Sequence, residues 1–419
     1  MTQSFNRARR QPGINKTYEV NELETRRHRP DYLVGIIVGI LIAIGLIVMY
    51  SISPAVSAIS GEQPNYYFTK HLISVGIGLV GFWIFYTIKL SKLSKIVYPL
   101  TALAVISSIA ILILDGFAFR WIKIAGFSFQ PAELVKFGLI IWLGFFLAKQ
   151  KRLLQISSYR STVRPILIVM AVIAFVTVVL QRDLGSMVVL AGIMGAMMFI
   201  ASVPLKPLLL VFLGLIILGT LAIASTPYRR QRFETFMNPE RDCQNEGYHA
   251  CQALIAVGSG GLLGLGVGNS VQAYGYLPET PTDSIFAIYA EKFGFIGSVI
   301  LVALIGLLIY RLVRIAGRTL TWESRLIMIG IIAWIGIQSI INIGAMLGLL
   351  PLKGITLPLL SYGGSSLVFI LFALGIALRI SCYTSVRKND IETKQQIDAT
   401  NSVDRRGDRR SYHAPLSSR

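Results

Sequence analysis

Ten apolar segments of about 20 residues recur along the chain and limit what it can fold into. A helix of this length crosses about 30 Å of hydrocarbon, and the segments lack the alternation expected of barrel strands. Because each is rich in Leu, Ile, Ala and Gly, each predicts a helix with internally bonded backbone amides. The predicted segments are Tyr32–Ser51, Leu72–Ile88, Ile96–Leu114, Ala132–Ala148, Ile166–Leu180, Leu184–Ser202, Leu208–Ala224, Ser284–Tyr310, Leu326–Gly348 and Ser366–Ile380. We therefore expect an all-α integral membrane protein with about ten transmembrane helices.

The charge pattern distinguishes a membrane protein from a basic nucleic-acid-binding protein. Only 15% of the 419 residues are charged, against roughly 25% in soluble domains, which indicates surface that faces lipid. The net charge of +19 comes from Lys and Arg concentrated in the two tails and in alternate loops. Nucleic-acid binding would need these residues on one folded surface with stacking aromatics. The distribution instead places both termini in the cytoplasm and predicts no nucleic-acid partner.

The same pattern divides the chain into a membrane domain and two polar tails. We expect a cytoplasmic N-terminal tail at residues 1–31, a ten-helix domain at residues 32–381 and a cytoplasmic C-terminal tail at residues 382–419. Residues 225–283 form the longest predicted loop, which lies outside the cell between the seventh and eighth helices. A connection of this length inside a compact domain is usually functional.

This long loop contains two of the three cysteines. Cys243 and Cys251 lie on the oxidising side, where they form either a disulfide or two free thiols, whereas Cys382 lies on the reducing side. With four His residues and no Cys/His cluster, we expect no zinc site. The glycine-rich stretch from Gly258 to Ser270 does not follow a buried strand, so it predicts a tight loop at the membrane interface rather than a phosphate-binding loop.

Asp283 directly precedes the eighth apolar segment. Thr282, Asp283 and Ser284 all favour the position before a helix, and an acid there interacts well with the helix dipole, so one interpretation is a capping residue. The other interpretation is a catalytic or ligand-binding carboxylate. The two are compatible, because a capped carboxylate is also held in position.

Four charged residues fall inside predicted helices. Glu133 and Lys136 project from the same side of the fourth helix. Glu291 and Lys292 lie about 12 Å deeper than Asp283 on the eighth helix. Ionisable groups at such depth indicate either a polar cavity or buried ion pairs that fix helix packing.

One segment near the last helix is specific enough to indicate a family. The sequence NIGAMLGLLPLKGITLPLLSYGGSS, here called the signature segment, runs from Asn342 to Ser366, and its Pro and Gly residues break any helix. Irregular backbone at membrane depth must line a cavity or pack on protein. The segment resembles the signature of the FtsW/RodA family of shape, elongation, division and sporulation proteins.

The resemblance extends from about residue 32 to about residue 383. Further matching motifs, in order, are Arg120-Trp121, FQPAELVK from Phe129 to Lys136, DLG from Asp183 and LPETPTD from Leu277 to Asp283. The stretch GNSVQ at residues 268–272 is more similar to the division branch of the family than to the elongation branch.

The resemblance implies an inverting glycosyltransferase that polymerises lipid II into peptidoglycan at the outer face of the bacterial cytoplasmic membrane, at the division septum. It also implies a class B penicillin-binding protein as the transpeptidase partner, together with other cell-division proteins. Asp283 matches the family's essential acid and is the expected general base. The expected substrate-binding residues are Arg120, Glu133, Lys136, Asp183, Glu279, Lys353, Ser361, Gly363 and Gly364.

The diphosphate leaving group in such a reaction needs neutralisation of its charge more than it needs a general acid. The candidate cations are Arg120, Lys136, Lys353, Arg229, Arg230 and Arg232. A divalent cation such as Mg²⁺ or Mn²⁺ is the alternative, and the sequence establishes no cofactor.

The chain departs from the family at Arg182, Pro281, Ser284 and Lys292, where a Pro, a His, an aromatic residue and a second acid are usual. These changes affect the expected geometry around Asp283, which is itself retained. Two alternative functions also fit the sequence. The first is a transporter that flips lipid II, since broken helices and intramembrane charges are typical of transporters. The second is a non-catalytic scaffold of the division complex.

Overall fold

A computed structural model describes residues 29–96, 99, 122–124, 127–204, 206, 209, 214, 243–245 and 247–384. These residues contain seven helices long and apolar enough to cross a membrane, and an eighth, shorter apolar helix. The elements are α1 (Tyr32–Ile59), α2 (Tyr66–Thr87), β1 (Ile122–Ile124), β2 (Phe127–Phe129), α3 (Pro131–Arg152), α4 (Arg164–Ala174), α5 (Leu184–Ala201), α6 (Tyr248–Ser259), α7 (Ile285–Arg318), α8 (Trp322–Met346) and α9 (Ser365–Ser381). Helix α4 continues at both ends into π-helical turns, Tyr159–Val163 and Phe175–Leu180.

The predicted all-α membrane class is confirmed, and eight of the ten predicted segments coincide with described helices. The third and seventh predicted segments, Ile96–Leu114 and Leu208–Ala224, lie outside the described residues apart from isolated positions. Almost all of the two predicted tails lies outside them too.

Helix α1 is longer than predicted, because it continues through Pro54 to Ile59. The hydroxyl of Ser53 accepts a hydrogen bond from Phe68 N at 3.1 Å and donates one to Pro64 O at 3.0 Å. These bonds tie the last turns of α1 to the start of α2. A tertiary contact, rather than local helix propensity, therefore sets the end of this helix.

Close helix packing depends on small residues at the interfaces. Helix α8, with the fully buried Trp334, packs against α3, α5 and α7. Where α9 packs along α2, a Cβ atom on Gly375 would lie only 2.4 Å from the carbonyl oxygen of Phe82. Such close approach is typical of membrane helices, whose association relies on packing because lipid offers no hydrophobic driving force.

A two-stranded hairpin that the sequence did not predict precedes α3. Strand β1 pairs antiparallel with β2. The carbonyl of Ser128 lies beside Gly364, whose φ of +41° favours glycine. Next in the chain, Gln130 N donates to Ser365 Oγ at 3.0 Å. The hairpin thus supports the end of the signature segment and the start of α9.

Helix α7 is broken at Gly294, where φ is 65° and ψ is −164°. Backbone groups freed by such a break are costly in lipid unless they find other partners. Residues 260–272, here called the glycine loop, supply those partners. The bonds join Leu265 N to Glu291 O (2.9 Å), Gly266 N to Lys292 O (3.0 Å), Phe295 N to Gly261 O (2.8 Å) and Ile296 N to Leu262 O (3.2 Å). A Cβ atom on Gly294 would lie 2.4 Å from Gly264 N, so only glycine fits this contact.

Candidate active site

Two distant parts of the chain meet at the start of α7. The first is the strap, which we define as residues 277–283, and the second is the signature segment. The side-chain amide of Asn342 donates to Asp283 O and to Ile355 O, each at 2.7 Å. A single buried side chain therefore joins the backbone of Asp283 to the signature segment.

The side chain of Asp283 is buried, with 6% of its surface exposed. Helix α7 begins at Ile285 and follows Ser284, which makes no side-chain capping bond. The hydroxyl of Thr282 lies 3.4 Å from Asp283 Oδ1. The capping interpretation of Asp283 is therefore wrong, and its carboxyl group remains available for another role.

The surroundings of Asp283 make its carboxyl group a weaker acid than usual. Burial raises its pKa from 3.8 to about 7, and the nearby carboxylate of Glu279 acts in the same direction. Glu279 itself is exposed and accepts a hydrogen bond from Thr282 Oγ1 at 2.8 Å. A carboxyl group that titrates near neutral pH is suited to general-base catalysis.

The signature segment lines one side of Asp283. A Cβ atom on Gly354, whose φ is +65°, would lie 3.7 Å from Asp283 Oδ2. The preceding residue, Lys353, is partly exposed. Tyr362 N donates to Pro281 O at 2.8 Å and joins the strap to the end of the same segment. The structure thus brings together Asp283, Glu279 and the loop that carries Lys353, as a single site requires.

His249, in the first turn of α6, contacts the residue that follows Asp283. Its Nε2 lies 2.7 Å from Ser284 Oγ, which donates its own proton to Pro278 O at 2.8 Å. Because a hydroxyl has one proton, His249 is the donor in this contact. A disulfide joins Cys243 to Cys251, with 5.6 Å between the Cα atoms, and fixes the same turn of α6. No local pattern indicates His249, since 35 residues separate it from Ser284.

Glu133 and Lys136 form a buried ion pair, with 2.7 Å between Oε1 and Nζ. Lys136 Nζ also lies 3.5 Å from Gln338 Oε1, to which Trp334 Nε1 donates at 2.7 Å. The amide nitrogen of Gln338 donates to the backbone and hydroxyl oxygens of Thr356, at 3.0 and 3.1 Å. The ion pair is thus part of a network that fixes α3 and α8 to the signature segment, the packing role considered above.

Asp183 is the residue before α5 and caps that helix. Its carboxylate accepts hydrogen bonds from Ser186 N at 3.0 Å and from Ser186 Oγ at 2.8 Å. It also accepts one from Gln130 Nε2 at 3.2 Å. Gln130 N in turn donates to Ser365 Oγ, so the Asp183 carboxylate is linked to the start of α9 through Gln130.

The remaining predicted residues of the signature segment shape its backbone. Ser361 Oγ accepts a hydrogen bond from Leu357 N at 2.7 Å. A Cβ atom on Gly363 would lie 3.1 Å from Ser366 Cβ, and Gly364 faces the hairpin. Arg120, Arg229, Arg230 and Arg232 lie outside the described residues.

Glu291 and Lys292 bind the glycine loop rather than each other. The buried carboxylate of Glu291 accepts hydrogen bonds from Ser270 Oγ, from Val271 N at 2.8 Å and from Gln272 N at 3.0 Å. Lys292 Nζ donates to Val267 O at 2.7 Å. Of the two alternatives considered for this pair, a mutual ion pair is therefore wrong, because adjacent residues of a helix do not face each other.

Replacing Glu291 with Gln should lower the free energy of unfolding by about 1–3 kcal/mol, because a neutral amide is a weaker acceptor for the three donors. Hydrogen exchange at the amides of Val271 and Gln272 should become faster, since they lose a charged acceptor. Thermal unfolding and exchange mass spectrometry measure the two effects. The control is Glu323→Gln. The carboxylate of Glu323 pairs at 2.7 Å with the exposed Arg152, and its loss should change the free energy of unfolding by less than about 1 kcal/mol. Equal effects of both substitutions would contradict the assigned role of Glu291.

Within the described ranges, no three side chains of His, Cys, Asp or Glu gather closely enough to hold a metal ion. Asp283 and Glu279 are the nearby carboxylates of the site, and they supply two potential oxygen ligands.

These features define a helical membrane protein with a buried carboxyl group at the start of a broken helix, held by the irregular signature segment. The chain matches the family described as "Cell cycle protein", which is that of FtsW, RodA and SpoVE, over residues 31–386. It therefore belongs to the FtsW/RodA/SpoVE family.

Individual relatives cover most of the chain. It is 37% identical to stage V sporulation protein E of Bacillus subtilis, over 86% of this chain and 100% of that protein. It is 38% identical to the probable peptidoglycan glycosyltransferase FtsW of Coxiella burnetii, over 82% of this chain and 94% of that protein.

Solved structures show the same fold. The rod shape determining protein RodA of Thermus thermophilus matches with a TM-score of 0.61 and 26% identity, over 84% of this chain and 96% of that chain. A chain from a peptidoglycan synthase complex, studied for the coordination of polymerization and crosslinking, matches with a TM-score of 0.65 and 25% identity, over 84% and 97%.

Proposed function

We propose that this protein is a peptidoglycan glycosyltransferase that polymerises lipid II into glycan strands during cell division. The observation that carries the proposal is the buried carboxyl group of Asp283, whose pKa is raised to about 7. Relatives named as probable peptidoglycan glycosyltransferases FtsW support the activity. The similar chain from a peptidoglycan synthase complex supports action beside a crosslinking enzyme.

In the proposed reaction, Asp283 takes the proton of the acceptor hydroxyl as this oxygen attacks the anomeric carbon of the donor. The bond between that carbon and the diphosphate breaks with inversion, and undecaprenyl diphosphate leaves as an anion. Lys353, next to Gly354, is the described candidate for stabilising this charge. The ammonium group of Lys136 is bound to Glu133 in the network that fixes α3 to the signature segment.

We further infer the place of action and the partner. The excess of Lys and Arg in the tails and alternate loops supports cytoplasmic termini and an active site at the outer face of the cytoplasmic membrane. The similarity to FtsW relatives supports the division septum. A class B penicillin-binding protein is the proposed transpeptidase partner.

The test is polymerisation by the purified protein together with a class B penicillin-binding protein. Labelled lipid II is supplied in detergent, so that no flipping is needed, with Mg²⁺, with Mn²⁺ and with a chelator in parallel. We expect long glycan strands from the wild type and none from Asp283→Asn. If the wild type forms no strands under any metal condition, the proposed activity is contradicted. A flippase or a non-catalytic scaffold would give this result.

The rate of polymerisation should rise with pH through about 7, because only the deprotonated carboxyl group of Asp283 accepts a proton. At pH 6 the rate should be about one tenth of its plateau. In Glu279→Gln the midpoint should move to lower pH, since loss of the neighbouring negative charge lowers the pKa of Asp283. Initial rates between pH 5 and pH 9 measure both midpoints. A flat profile, or a shift to higher pH in Glu279→Gln, would contradict the role of Asp283 as base.

A further inference from the structure

The glycine loop exposes large apolar side chains beside α7. Leu262 is 70% exposed and Leu263 is 79% exposed. Phe295, just past the break in α7, is 63% exposed. We call these three side chains the apolar surface; the loop and the helix that carry them lie side by side, because Ile296 N is bonded to Leu262 O.

The position of this surface along α7 indicates its depth in the membrane. Between Lys292 and Arg311 the helix carries no charged residue. At the helical rise this uncharged stretch spans about 27 Å, which nearly equals the hydrocarbon thickness of about 30 Å. If this uncharged stretch, rather than the longer predicted segment from Ser284, corresponds to the hydrocarbon, Phe295 and Ile296 lie inside it, about 5 Å from its boundary at Lys292. The part of the glycine loop bonded to them lies at the same depth.

The backbone bonds between loop and helix make this depth physically acceptable. Irregular backbone enters the hydrocarbon region only where its polar groups find partners. The glycine loop meets that requirement in part through its four bonds with α7, which also satisfy the groups freed at Gly294. Polar backbone thus faces the helix while leucine side chains face outward.

We propose that the glycine loop inserts into the leaflet on the Asp283 side of the membrane, with Leu262, Leu263 and Phe295 in contact with lipid acyl chains. The occupant of this surface is lipid, because the surface continues the exposed apolar face of a membrane-spanning helix. A partner protein is the alternative, and in that case the loop of the isolated protein would be in water.

The inserted loop also anchors the strap to the membrane. Glu291 holds the loop at Val271 and Gln272, and Gln272 O accepts a hydrogen bond from Leu277 N at 3.1 Å. Leu277 is the first residue of the strap. The inserted loop is therefore one support of the strap, beside the bonds from Asn342 to Asp283 O and from Tyr362 N to Pro281 O.

The experiment measures the surroundings of a nitroxide label on Leu263→Cys in the full-length protein reconstituted into liposomes. Collision with oxygen, which is enriched in lipid, is compared with collision with a water-soluble nickel chelate. Val299→Cys on the exposed face of α7 is the lipid reference, and Glu62→Cys between α1 and α2 is the water reference. Cys243 and Cys251 are joined in a disulfide and Cys382 is buried, so they should take little label.

We expect the ratio of oxygen to nickel collisions for Leu263→Cys to match Val299→Cys and to exceed Glu62→Cys several-fold. A ratio equal to that of Glu62→Cys overturns the proposal. Leu262→Cys provides a second exposed position in the same loop, should Leu263→Cys unfold at a lower temperature than the wild type. Because no substrate is present, the result is independent of the proposed glycosyltransferase activity.

Discussion

Replacing Asp283 with Asn should lower the rate of lipid II polymerisation by about 10²–10⁴-fold, the usual contribution of a general base. The amide has nearly the same shape as the carboxyl group but does not accept the proton of the acceptor hydroxyl. The measurement is the initial rate at pH 8 with the penicillin-binding partner present. Glu323→Gln is the matched control, since it also removes a carboxylate, but from the start of α8, beyond the opposite end of α7 from Asp283, and should keep the rate of the wild type.

The same substitution should make the protein more stable above neutral pH. The pKa of Asp283 is raised from 3.8 to about 7 in the folded state. The stability that the protonated carboxyl group contributes is therefore fully present below pH 3.8 and is lost as the pH rises through about 7. The difference between 3.8 and about 7 corresponds to about 4 kcal/mol. Asp283→Asn lacks this loss, so its advantage in melting temperature should widen from pH 5 to pH 8. A variant that is inactive and also less stable at pH 8 would indicate a structural defect instead.

Replacing Lys136 with Met should lower the free energy of unfolding by about 3–5 kcal/mol, because it leaves the buried carboxylate of Glu133 without its cation. The double variant Glu133→Gln/Lys136→Met should lose much less, since no buried charge remains. Thermal or denaturant unfolding in detergent measures both values.

The ion pair between the exposed Arg152 and the partly buried Glu323 is the control for Lys136→Met. Arg152→Met should change the stability by less than about 1 kcal/mol, as is usual for surface ion pairs. A double variant as unstable as Lys136→Met alone would mean that lost packing, and not the unpaired charge, causes the effect.

The helices could be predicted because a span must be apolar along about 20 residues, a pattern that sequence shows directly. The ends of the helices could not, since contacts such as the one between Ser53 and α2 determine them. The hairpin of β1 and β2 was missed because three-residue strands have no periodicity to detect.

Individual residues of the site could be predicted where neighbouring sequence positions indicate their role. Asp283 was found from its position before α7 and from its motif, whereas its capping role was wrong because that helix begins two residues later. Helix geometry alone excludes Lys292 as the ion-pair partner of Glu291, since neighbouring residues of a helix point apart. The actual partners of Glu291, in the glycine loop, were not predicted. His249 and Asn342 act across long sequence separations, so no local pattern could reveal their contacts.

Asn342 has a consequence for chimaeras between members of the family. Its amide nitrogen binds backbone oxygens in both the strap and the signature segment, and no described residue binds its Oδ1. A strap transplanted alone would meet a signature segment of foreign shape, and its aspartate would be displaced even if every strap residue were correct. The two stretches therefore form one cassette, and working hybrids should be those that exchange both together.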